Sequence, residues 1–457
     1  MERRTILKAA AATAALFAAA PSLLARESAG LRPASFPLDP ALSPLAQAAR
    51  DGWLYGLALI ENAVSRAEFV SRGAPNTIVH DRVLAGWDWK GVTTPNNDTL
   101  YSRSWLDLTK GPVRITIPAS SDRYLSLAFM DMYMNNFTIL GTRTTGETGG
   151  SFTVVGPMDE TSDPLAIRSP TPWVWTTLRV LVAGPHDLAD GHRLQNGFKV
   201  EGPKSASPPA YVSRSAPWDR YFESVQRLLI ENPPPVTDAA LFETLKPLGL
   251  GMLGGFDTKR FTATQAKEIE LGVAAGRTML RTAGRQGPIV NGWAYPKTTL
   301  GDFGQDYFFR AQVALAGLGA LPIIEAMYLR PLNDAGRMGF DSARAWRLTL
   351  PGNALPAVDA FWSISMYEET PEGQYFFVKN PIDRYMISDR TPDLKRSPDG
   401  SIEIIMTRTP PAKGGNANWL PTPPERPFGL VFRGYLPKDD LLSGRYKMAK
   451  PGDIGPA

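Results

Sequence analysis

Apolar residues recur along this chain at two different periods, and the changes of period divide it. Between Leu45 and Arg72 the residues Trp53, Leu57, Ile60 and Val64 fall at spacings of three and four. That spacing predicts one buried helical stripe, stopped by Gly73-Ala74-Pro75. From about Thr77 to Val200 the period changes to two, as in Val113-Arg114-Ile115-Thr116-Ile117, Tyr124 to Phe129 and Val174 to Val180. Gly, Pro, Asp and Ser clusters separate these runs, which predicts short strands of a sandwich or barrel. Helical spacing returns over Trp218 to Ile230 and Thr262 to Thr282, with Thr262 or Thr264 as N-cap. A third helix is expected over the Ala-rich Tyr307 to Leu329, kinked or broken at Pro322. Period two resumes after Arg344, in Ala360 to Tyr367, Ser401 to Met406 and Gly429 to Arg433, with a turn at Asp399-Gly400.

The 457 residues suffice for two or three domains. Gly and Pro, 41 each, are scattered rather than clustered, so they mark turns between strands rather than disorder. The net charge of +4 comes with no block of like charges, which leaves nucleic acid without an electrostatic foothold. Cysteine is absent. Disulfides, thiol nucleophiles and thiolate-bound zinc or iron–sulfur centres are therefore excluded, and core burial must hold the fold.

Residues 1–25, MERRTILKAAAATAALFAAAPSLLA, have the anatomy of a signal peptide: Arg3 and Arg4, an Ala/Leu-rich apolar run, and small residues before a cleavage point expected after Ala25. Arg3-Arg4-Thr5-Ile6-Leu7-Lys8 resembles a twin-arginine export signal. The expected address is the periplasm, with a spacer over 26–44 and no later stretch apolar enough to span a bilayer.

Two segments resemble a paired family of bacterial envelope proteins, the domains of unknown function numbered 1254 and 1214. The first resemblance runs through His80-Asp81-Arg82, Thr94 to Ser102, Ser104 to Leu108 and Arg143 to Gly146. The second runs through Phe361 to Tyr367, Asn380 to Tyr385, Asp399-Gly400-Ser401 and Asn418 to Pro421. Asn97 stands where the family more often carries an apolar residue. The resemblance implies an α+β, β-dominated fold: two β-sandwich or jelly-roll-like domains joined by a helical connector. The expected divisions are 45–215, 216–330 and 331–457.

Candidate chemistry concentrates in few places. His80 with Asp98 offers a base and the carboxylate that would fix its tautomer, and Arg82 shares a strand face with His80. Asn96 and Tyr101 could line the mouth of a pocket, with Asp98 as acid/base. Trp105, Trp362, Tyr367, Trp419 and Tyr435, with Arg384 and Asn418 nearby, could present ring faces and polar groups to a small molecule or glycan. A core or turn role competes at every one of these positions. His186 and His192 flank Asp187 and Asp190, a weak oxygen–nitrogen arrangement that a surface loop explains better. No nucleophile elbow, His-Glu-x-x-His helix or phosphate loop is present. No metal ligand is nominated, whether a metal binds stays open, and no cofactor is named by the sequence. Two functions stay open: an envelope hydrolase or lyase with His80 as general base in an interdomain cleft, and a non-catalytic periplasmic binding or scaffold protein. A homo-oligomer is equally open.

Overall fold

The computed structural model describes residues 36–91, 93–251, 255–284, 287–371, 374–412 and 415–457. The expected signal peptide, 1–25, and the first part of the spacer lie outside the described residues.

The chain opens with α1 (Pro44–Val70), capped by Ser43, whose side chain accepts from Ala46 N. The N-terminal strands follow: β1 (Val79–His80), β2 (Thr99–Asp107), β3 (Val113–Ile117), β4 (Leu125–Met130), β5 (Asn136–Gly141), β6 (Gly150–Val155), β7 (Ile167–Arg168), β8 (Trp173–Leu181), then α2 (Leu188–Gly197) and β9 (Lys199–Glu201). Helices α3 (Trp218–Glu231), α4 (Ala239–Leu245) and α5 (Ala263–Thr282), short strands β10 (Ile289–Val290) and β11 (Trp293–Ala294), and α6 (Tyr307–Ala316) come next. The last stretch holds β12 (Ala326–Pro331), β13 (Arg344–Leu350), β14 (Val358–Glu369), β15 (Tyr375–Phe376), β16 (Met386–Ser388), β17 (Ile402–Thr407), β18 (Trp419–Pro421), β19 (Phe428–Pro437), α7 (Asp439–Leu442) and β20 (Gly452–Pro456). Among the described residues the fold is α+β and rich in antiparallel sheet, with no barrel.

Each β region is a pair of sheets. In the first, order β1-β2-β8-β4-β5 packs on β7-β6-β3-β9, and the inward faces bury Leu106, Ile115, Leu127, Phe129, Leu178 and Val180. In the second, order β10-β11-β12-β19-β14-β15, with β16 also on β14, packs on β18-β17-β13-β20 over Leu348, Trp362, Ile364, Ile404, Leu430 and Phe432. Period two is visible in β3, whose Val113, Ile115 and Ile117 are buried between more exposed residues. β4 is buried on both faces, because its outer face meets the second half of the chain.

The helices form one layer. α1 packs its Trp53, Leu57 and Ile60 with residues of α3, α5 and α6 in a shared core, while Val64 is exposed. Close helix contact requires Gly272 in α5, where a Cβ would lie 2.1 Å from the carbonyl oxygen of Ala46. α5 starts in a capping box between Thr262 and Gln265. The helix expected over Tyr307 to Leu329 stops at Ala316. Gly317 ends it, Gly319 turns at φ +81°, and Pro322 leads into strand β12. Beyond Pro322 the chain pairs Ala326 to Leu329 with β19 instead of extending the helix, so tertiary pairing overrides the local helical spacing.

A fourth cluster joins the two β regions: Tyr124, Ala128, Ile139 and Leu181 from one, Leu321, Ala326, Phe361 and Tyr435 from the other. The seam between the regions is therefore a packed interface. Among the described residues no helix is long and apolar enough to cross a membrane.

Candidate functional site

The segment Thr93 to Asp98 is clamped in that seam. Arg433 Nη2 donates to the carbonyls of Thr94 and Pro95 at 2.9 and 3.2 Å, and Tyr367 Oη donates to Pro95 O at 2.7 Å. Thr94, a β-branched residue, is held at φ +52°, a conformation that persists only where surrounding bonds impose it. Asn96 accepts from Asp98 N through its own Oδ1 at 2.7 Å, which closes a local turn. Its Nδ2 lies 3.1 Å from Tyr101 Oη, 3.0 Å from Tyr435 Oη and 3.1 Å from Thr99 Oγ1. Two amide hydrogens face three acceptors, so one oxygen always lacks this donor.

Tyr101 stands opposite Arg179 in the β2–β8 ladder, and Ser126 stands opposite Arg179 in β4–β8. All three share the outer face of the sheet. From the other half, Tyr328 on β12 pairs with Arg433 on β19, two residues from Tyr435. The guanidinium of Arg179 lies 5.3 Å from the Tyr101 ring centroid. Burial would raise the Tyr101 phenol, but Arg179, hydrogen bonds from Thr99 and Asn96, and Arg433 together bring it below the ordinary phenol value. Burial, Tyr328 and Tyr101 push Tyr435 well above that value. The neighbouring phenols are thus pushed apart, and Tyr101 is the one that ionises first.

Arg179 itself is 6% exposed. Its Nη2 donates to Gly319 O at 2.9 Å, while Nε and Nη1 are buried without a hydrogen-bond partner, as is Ser126 Oγ. Other buried arginines also leave an N–H unspent, but they face carboxylates. Arg50 pairs with Asp51 at 2.7 Å and Arg66 with Glu231 at 3.0 Å. Arg310 acts on Asp131, and Arg390 faces Asp98 at 3.5 Å. Burial opposes the charge of Arg179, and the groups that sustain it are the phenols of Tyr101, Tyr328, Tyr435 and Tyr124.

The sequence-derived candidates divide between the two sides of this seam and beyond it. Asn96, Tyr101 and Tyr367 meet as described. Asp98 is sealed, accepts from Ser363 Oγ at 2.6 Å and faces Arg390 Nη2 at 3.5 Å. His80 does not have Asp98 as its partner: its Nδ1 contacts Ser102 Oγ at 2.7 Å, on the opposite face of β2 from Tyr101. Burial, then Arg82, lowers the His80 imidazole from 6.5 to about 4. Arg82 bonds His192 O, Gln195 Oε1 and Asn196 Oδ1 of α2. Trp105 is buried on the Tyr101 face, with its ring parallel to that of Trp175 at 5.9 Å. Trp362 lies inside the C-terminal core. Arg384 donates to the carbonyls of Asn416, Ala417 and Trp419, Asn418 exchanges two bonds with the Lys395 backbone, and Trp419 Nε1 donates to Thr407 O at 2.9 Å. Those three hold loops of their own domain. In the His186–His192 turn, Asp187 is engaged by Arg123 at 2.9 Å. Among the described residues no group of three or more His, Cys, Asp or Glu could hold a metal ion.

Arg179, Arg433, Tyr328 and Ser126 complete the seam together with Tyr435, and of these sequence reasoning singles out only Tyr435, as one of the strand aromatics. A signal existed for the arginines: each is the one charged residue inside a strand that is mostly buried on both faces, Trp173 to Leu181 and Phe428 to Pro437.

Comparison with known proteins follows the same division. The family model described as Protein of unknown function (DUF1254) matches residues 75–202, and that described as Protein of unknown function (DUF1214) matches 325–439. No curated protein matches the chain. The crystal structure of the VPA0106 protein from Vibrio parahaemolyticus is similar, with 23% identity and a TM-score of 0.68, covering 90% of this chain and 100% of that one. It shares the fold. An uncharacterised protein from Burkholderia cenocepacia is a looser likeness, with 12% identity and a TM-score of 0.45 over 88% of each chain.

Proposed function

Because the chain belongs to the family that joins a DUF1254 region to a DUF1214 region, we propose a function that needs both: binding a small organic anion, of carboxylate type, in the seam between them, outside the cytoplasm. The observation that carries this reading is Arg179. An uncompensated charge is costly to bury, and this one is ringed by phenols rather than carboxylates, with Nε and Nη1 unspent. A guanidinium offers a planar fork that suits a carboxylate. Ser126 Oγ, buried on the neighbouring strand opposite Arg179, supplies a further hydroxyl.

Export rests on the twin-arginine-like segment 1–25. Of the two functions left open by the sequence, the binding protein is favoured over the hydrolase. His80 and Asp98 have separate partners, and neither belongs to a nucleophile–base–orienter chain. One observation favours a catalytic variant of the same reading. Tyr101, with its phenol below the ordinary value, could exchange a proton with the bound anion.

The test is calorimetry and thermal shift with acetate, benzoate, phosphate, sulfate and neutral sugars, on the wild type and Arg179→Met. A carboxylate should bind, and the substitution should weaken it about 100-fold, the worth of two charge-assisted hydrogen bonds. Sugar binding unaffected by Arg179→Met, with every anion silent, would discard the reading. Export is checked by cell fractionation: replacing Arg3 and Arg4 by Lys should leave the chain in the cytoplasm.

A further inference from the structure

Arg179 does not face open solvent. Tyr124, Ser126 and Tyr435 beside it are sealed, and Ala128 shares one packed cluster with Phe361 and Tyr435. The half-buried groups around the guanidinium are Tyr101, Tyr328 and the turn Gly317 to Ala320. Tyr101 and Tyr328 stand on β2 and β12, which are held in place by their ladders. The turn lies between α6 and β12, outside regular structure. It is the part of this lining that can move without unpairing a sheet.

Within the turn, Ala320 N donates to Gly317 O at 2.9 Å, and Gly319 holds the third position at φ +81°, which favours glycine. Two bonds tie it to the first sheet. Ala320 O accepts from Asn136 Nδ2 at 3.0 Å, and Gly319 O accepts from Arg179 Nη2 at 2.9 Å. A Cβ on Gly319 would lie 3.2 Å from the Trp175 ring, so the tip is pressed onto the sheet. A guanidinium can grip a carboxylate with either of two forks, Nε with Nη2 or Nη1 with Nη2. Nη2 belongs to both. Nε and Nη1 have no partner, whereas Nη2 is spent on the Gly319 carbonyl. A backbone oxygen thus stands on the nitrogen that either fork would use for one carboxylate oxygen.

We propose that the Gly317–Ala320 turn is an autoinhibitory plug: its Gly319 carbonyl holds the anion site closed in the ligand-free chain, and a carboxylate binds by displacing it. The inference rests on the anion reading of Arg179 and adds the regulation of that site. The moving part is short, because Val313 and Leu321 on either side are buried in the cores. The exchange is favourable in kind, since a charged acceptor replaces a neutral one on the same cation. The affinity of the wild type is then the intrinsic affinity multiplied by the fraction of molecules with the turn displaced. Any change that loosens the turn raises it without touching Arg179.

The experiment is calorimetry with acetate on the full chain, comparing the wild type with Gly319→Ala and Asn136→Ala, together with hydrogen exchange of the turn read by mass spectrometry. Circular dichroism establishes that each variant is folded. A side chain at φ +81° strains the closed turn, so Gly319→Ala should bind acetate roughly 5–10-fold more tightly. Asn136→Ala removes the tie to Ala320 O and should shift the affinity in the same direction. It carries the test if alanine at position 319 prevents folding. In the wild type, acetate should speed exchange of the Ala320 amide, which is bonded to Gly317 O in the closed turn. Variants that bind acetate no better than the wild type, or exchange in the turn that acetate leaves unchanged or slows, would overturn the plug and leave the anion site standing. If acetate binds none of the three proteins, the reading of Arg179 itself fails, and the plug with it.

Discussion

Strand β2 carries a polar cluster on each face, and the two are opposites. On the face of Ser102, His80 Nδ1 meets Ser102 Oγ at 2.7 Å, and Gln195 Nε2 lies within 3.2 Å of the Ser102 hydroxyl, Asp81 O and Tyr101 O. Arg82 closes the group by donating to Gln195, Asn196 and the His192 carbonyl. On the face of Tyr101, Arg179 keeps two N–H groups unspent and has only phenols around its charge. The His80 cluster holds the residue types that suggest catalysis, yet its bonds are consumed in pinning α2 to the sheet edge. The Arg179 cluster is ordinary in sequence and unbalanced in space. What separates the two polar clusters is saturation, not the kind of residue.

The sharpest way to break this contrast is to remove a hub from each face. Gln195→Leu strands the acceptors on Asp81, Tyr101 and Ser102 and a donor on Arg82, so it should destabilise the protein by about 3 kcal/mol. Carboxylate binding at the seam should be untouched in the folded fraction. Urea unfolding followed by circular dichroism measures the loss. A cost near zero would mean that the His80 face is not the saturated, load-sharing cluster described.

Arg179→Met should act with the opposite sign. Replacing an uncompensated buried charge with an apolar side chain of similar length is expected to leave the ligand-free protein as stable as before, or more stable by about 1–2 kcal/mol. The same unfolding measurement decides it. A loss as large as that for Gln195→Leu would show the guanidinium to be fully engaged within the chain, and the distinction between the two faces would collapse.

How much of this was legible in the sequence follows from the range of the interactions. Helix α1, the cap at Thr262 and the alternating strands depend on neighbours a few residues away, and local spacing revealed them. The strand pairings do not: β2 finds β8, whose Arg179 lies far along the chain from Tyr101. Asn96 and Tyr101 were visible because they sit in one dense polar segment. Arg179 was not, since a single charge in an apolar strand reads equally well as a solvent-facing position until the second half of the chain covers it. Proximity in sequence also paired His80 with Asp98, whereas the β1–β2 register sets His80 opposite Ser102. The long helix expected after Tyr307 failed for a similar reason, because pairing with β19 decided the conformation beyond Pro322.

The smallest effect, and the one that addresses both faces in a single protein, is the pH dependence of stability. His80 is lowered from 6.5 to about 4 in the folded chain, chiefly by burial. Between those values the unfolded state holds the extra proton, so this group's contribution is complete above pH 6.5 and is lost as the pH falls toward 4. Asp131 and Asp389, both raised to about 6 by burial, act in the reverse direction over the same acid range. The quantity to measure is therefore the difference between the wild type and His80→Gln, which should shrink on acidification. On the other face, burial raises the Tyr101 phenol, but Arg179, Thr99, Asn96 and Arg433 outweigh it, so the folded chain releases that proton before the unfolded chain does. Stability should then gain as the pH climbs toward 10, and Tyr101→Phe should lack the gain. A carboxylate at Arg179 competes with the phenolate for the same guanidinium, so adding one should flatten the alkaline gain and leave the acid side as it was. If the ligand altered the acid side instead, the anion would be acting on the His80 face, and the assignment of the two faces would have to be exchanged.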